Sequence, residues 1–105
     1  MKTEDELLPA LIDEAKADEV GLWLIPATLR DELGITDPEV LRAMTLDYVR
    51  RLLESGEIVA IWYAGHGIAP SHMSIPEIVS RIDRQWDELG REPDIGDIVV
   101  FRSHG

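Results

Sequence analysis

Arg51-Leu52-Leu53-Glu54-Ser55-Gly56-Glu57-Ile58-Val59-Ala60-Ile61-Trp62-Tyr63 holds, in one phrase, the end of a helical period, a glycine stop and the start of a β-branched and aromatic run. Up to Leu53 the apolar residues recur three and four apart, as one face of a helix requires. Beyond Gly56 they run on without a polar gap, which fits a strand buried on both faces. A chain that changes period this sharply needs helix and strand in one core, and so belongs to the α+β class.

Upstream, Thr36-Asp37-Pro38-Glu39 reads as a capping box, with Thr36 capping the Glu39 amide and Pro38 preset for the first turn. The helix it opens should end at Gly56, with Val40, Leu41, Met44, Tyr48, Leu52 and Leu53 on its inner stripe. Arg42, Asp47, Arg50, Arg51 and Glu54 then face water. A preceding helix runs from Val20 or Leu22 to Leu33 and is closed by Gly34, with Pro26 tolerable only near its first turn. The first helix, Glu4 to Ala17, carries Leu7, Leu8, Leu11, Ile12 and Ala15 at helical spacing and is weakened by Pro9.

Downstream, Ser74-Ile75-Pro76-Glu77 repeats the start signal and Gly90 the stop signal of a fourth helix. The turn Pro93-Asp94-Ile95-Gly96 leads into a strand at Asp97 to Arg102. The expected architecture is mostly helical: three to four helices packed with a two-stranded antiparallel sheet, within one domain over residues 1–105. Residues 1–19 form an acidic amphipathic N-terminal helix or arm, and 20–105 the core. Exposed strand edges leave a homodimer open.

Charge narrows the partners. The chain has 21 Asp and Glu against 10 Lys and Arg, a formal net charge of -11. Nucleic acids and anionic membranes, which are bound by displacing counterions with Lys and Arg, are disfavoured; a basic protein partner is favoured. No apolar stretch approaches the roughly 20 residues of a membrane span. The opening Met1-Lys2-Thr3-Glu4-Asp5-Glu6 has no signal-peptide core, which places the expectation in the cytoplasm.

Chemistry finds little purchase. Without cysteine there is no thiolate nucleophile and no cysteine metal site. Tyr63-Ala64-Gly65-His66-Gly67 resembles the strand-to-loop His-Gly element of the caspase and metacaspase family, which would imply a catalytic His66. That role requires a Cys partner the chain lacks, so His66 reads as a glycine-flanked turn residue. His66 and His72 have no firm third ligand, with His104 remote. The glycines punctuate helices and turns and form no phosphate loop. No catalytic residue, cofactor or metal is therefore expected.

Leu22 to Tyr63 resembles a winged-helix segment: helix, Leu-Gly turn, capped helix, then a Leu-Leu-Glu-Ser-Gly-Glu-Ile junction into a strand. The resemblance implies a DNA-reading helix bearing Arg42, Arg50 and Arg51. Where a winged helix has a short hairpin, this chain inserts a whole helix. The phrase from Trp86 to Pro93, with Gly96-Asp97-Ile98-Val99, is similar to small bacterial proteins of unassigned function. The expected function is a non-enzymatic protein-interaction domain, of the immunity or antitoxin-like inhibitor kind, meeting a basic partner through Glu4, Asp5, Glu6, Asp13 and Glu14. The alternative is a winged-helix transcription regulator.

Overall fold

The computed structural model of the chain describes residues 4–61, 73–94 and 97–103. Seven elements follow in order: α1 (Glu4–Ala17), β1 (Val20–Gly21), α2 (Leu24–Leu33), α3 (Pro38–Glu54), β2 (Ile58–Ile61), α4 (Ile75–Leu89) and β3 (Val100–Ser103). The fold is mostly helical α+β, as the change of period at Gly56 requires.

Local chemistry sets the helix limits. Before α4, Ser74 accepts from the Glu77 amide while the Glu77 side chain reaches back to the Ser74 N–H, a complete capping box. α3 is capped differently from the expectation. Asp37, not Thr36, is the N-cap, and its Oδ1 accepts from the amides of Glu39 at 2.9 Å and Val40 at 3.3 Å. Pro38 occupies the first helical position, so the residue directly before it sits where a side chain can reach those two orphan donors. Gly34 and Gly90 end α2 and α4 at φ of 71° and 73°, in the left-handed region that favours a residue without Cβ.

The sheet has three strands, not two. Its order is β1-β3-β2, and both pairings are antiparallel, with Val20 opposite Phe101 and Ala60 opposite Phe101 on the other side. β1 is only two residues long and lies inside the apolar stretch at Val20, where no alternation marks it. Its identity comes from Phe101 and Val100, some 80 positions away. The Leu22 N–H extends the pairing by donating to the Val99 carbonyl at 3.0 Å. Because Val20 and Gly21 are strand, α2 begins at Leu24, which leaves Pro26 within the first turn, where no N–H is needed. β3 begins three residues later than expected, since Asp97 to Val99 form a turn in which the Val99 N–H donates to the Asp97 carbonyl at 2.8 Å.

Most of the buried side chains form one contiguous cluster drawn from all four helices and all three strands, with Tyr48, Phe101, Leu22, Leu29, Leu52 and Ile82 fully buried within it. α1 contributes Leu7, Leu11 and Ala15. It is therefore a packed helix and not a loosely attached arm, and it continues unbroken through Pro9, which lies on the solvent side. The inner face of α3 is rotated from the expected stripe: Thr45 and Val49 are buried, whereas Val40 is 44% exposed. Thr45 is accommodated because its hydroxyl donates to the Leu41 carbonyl one turn back, at 2.6 Å.

Candidate interaction surface

The outer face of α1 follows directly from its inner one. With Leu7, Leu11 and Ala15 inward, Glu6, Asp13 and Glu14 fall on the solvent side, and all three are exposed. Glu4 and Asp5 form the first turn, where carboxylates complement the positive end of the helix dipole; the placement of their side chains lies outside the described structure. Asp18 and Glu19 continue the acidic run, so Glu4–Glu19 carries seven acids against Lys16 alone. Lys16 in turn is engaged by Glu57 at 3.1 Å.

Elsewhere, Arg30, Arg42, Arg50, Arg51 and Arg91 are each held by a carboxylate within the molecule. Arg30 makes a two-pronged pair with Glu92, at 2.9 and 3.2 Å. Arg50 bridges Asp47 and Glu54, and Arg51 adds a second contact to Asp47 at 3.0 Å. Arg91 holds Asp97 at 2.8 Å. Hydrogen bonding to the facing carboxylates raises the pKa of Arg30, Arg42 and Arg50 further, so these groups remain cationic at every accessible pH. The Asp97 carboxyl lies below its ordinary value, first because it accepts the Asp94 backbone N–H and then because Arg91 faces it.

Arg42 was expected in water and instead joins α3 to α4. Its Nε and Nη2 donate to Asp83 Oδ1 at 2.8 and 2.6 Å, Nη2 also donates to the Asp83 carbonyl, and Nη1 donates to Asp87 at 2.8 Å. The guanidinium lies 5.7 Å from the centroid of the Trp86 ring, within cation–π range. Asp83 and Asp87 stand four apart on α4, as acids on a solvated face also do, and only the packing of α4 against α3 makes them partners of Arg42.

Of the residues singled out from sequence, Glu6 and Asp13 are thus brought together on the outer side of α1, with Glu14 exposed at the flank of its leucine stripe. Arg50 and Arg51 lie together on α3, and Arg42 is drawn away into the α3–α4 seam. Tyr63–Gly67, with its His66, and likewise His72 and His104, lie outside the described residues. Among the described residues no group of three or more His, Asp or Glu converges as a metal site would need, and no helix is long and apolar enough to cross a membrane. No protein-family description, curated protein or solved structure matches the chain.

Proposed function

We propose that the chain is a non-enzymatic protein-interaction domain that binds a basic protein partner, in the manner of an immunity or antitoxin-like inhibitor. The observation that carries this reading is the distribution of charge. Arg30, Arg42, Arg50, Arg51 and Arg91 are each held by carboxylates of α3, α4 and the segments beside them, while Glu4–Glu19, most of it on the packed helix α1, carries seven acids against one lysine. Such a field steers a basic partner and speeds encounter more than it fixes affinity. The test is capture of partners from the source organism, with the wild type beside a Glu6→Lys, Asp13→Lys, Glu14→Lys variant, at low and moderate salt. A basic protein retained by the wild type and lost by the variant is the expected result. Equal retention by both, or no enrichment at either salt concentration, defeats the proposal.

A second reading, DNA binding, is favoured by topology. The order helix, strand, helix, helix, strand, with β3 between β1 and β2, fits a winged helix in which α4 replaces the wing. Its electrostatics are poor, since Arg42, Arg50 and Arg51 already have carboxylate partners within 3.0 Å. Gel-shift assays with genomic fragments separate the two readings. Retardation that falls steeply with salt and vanishes in Arg50→Ala, Arg51→Ala would favour DNA binding.

A further inference from the structure

We draw no further inference here: the strongest candidate, the apolar outer face of the three-stranded sheet, where Val59, Ile61 and Val100 lie side by side on β2 and β3 and apart from the core cluster, carries nothing, because nothing among the described residues shows what covers it.

Discussion

Gly21 lies under the indole of Trp23: a Cβ there would stand 2.5 Å from Cδ1 and 2.6 Å from Nε1. Gly21→Ala therefore has to displace the half-buried Trp23, and should destabilise the protein by about 1–2 kcal/mol in urea denaturation. Ile98 is the opposite case, with φ of 63° in a region that a β-branched residue adopts only at a cost. Relief of that backbone conformation, about 1–2 kcal/mol, should offset most of the burial lost in Ile98→Gly, leaving stability within about 1 kcal/mol of the wild type. The neighbouring Val99 is buried, and Val99→Gly has no such relief and should cost several times more on the same denaturation curves. Neither residue announces itself in sequence. The crowding at Gly21 comes from a side chain two positions on that folds back, and the turn at Ile98 is imposed by the pairing of the strand that follows. Arg42 is similar, since its period places it on the outer side of α3 and only the position of α4 reveals its partners.

At the scale of elements the sequence was far more legible. All four helices are present, and apart from the start of α2, displaced to Leu24 by β1, they lie close to where their periods and stop signals put them, because Ser74, Pro38, Gly34 and Gly90 act through contacts within one turn. The cap of α3 can be resolved by mutation. Asp37→Ala and Ser74→Ala should each cost about 1 kcal/mol in thermal or urea unfolding, whereas Thr36→Ala should be nearly neutral. The segment between α4 and β3 is pinned by Asp97, whose carboxylate holds both the Asp94 N–H and Arg91. Its pKa is lowered in the folded state, so its contribution is complete above the unfolded-chain value near 4 and is lost as the pH falls through the lower folded value. Asp97→Asn should accordingly show a lower urea midpoint at neutral pH and a shallower decline below about pH 4 than the wild type.

For the whole molecule, what escaped the sequence was the sheet's third member and the pairing of α3 with α4. A two-residue strand has no period of its own, and the charge count gives the sign of a field without its position. The candidate α1 face could be read in part, since Glu6 and Asp13 fall opposite a clear leucine stripe and Glu14 at its flank. The α3–α4 seam could not, because Arg42 meets Asp83 and Asp87 from 41 and 45 positions away. The consequence of placing β3 between β1 and β2 concerns the order in which the protein can be completed. The last-arriving strand is the keystone: Phe101, fully buried, is shared by both pairings. A chain shortened before Val100 should lose its cooperative urea transition by circular dichroism, not merely shift it. During synthesis the helices can form as they emerge, but the core must wait, with its leucines uncovered, until residues 100–103 are released. Long-range closure of this kind slows folding and prolongs exposure to aggregation. A strongly like-charged surface, which keeps unfinished chains apart, protects the protein during that interval.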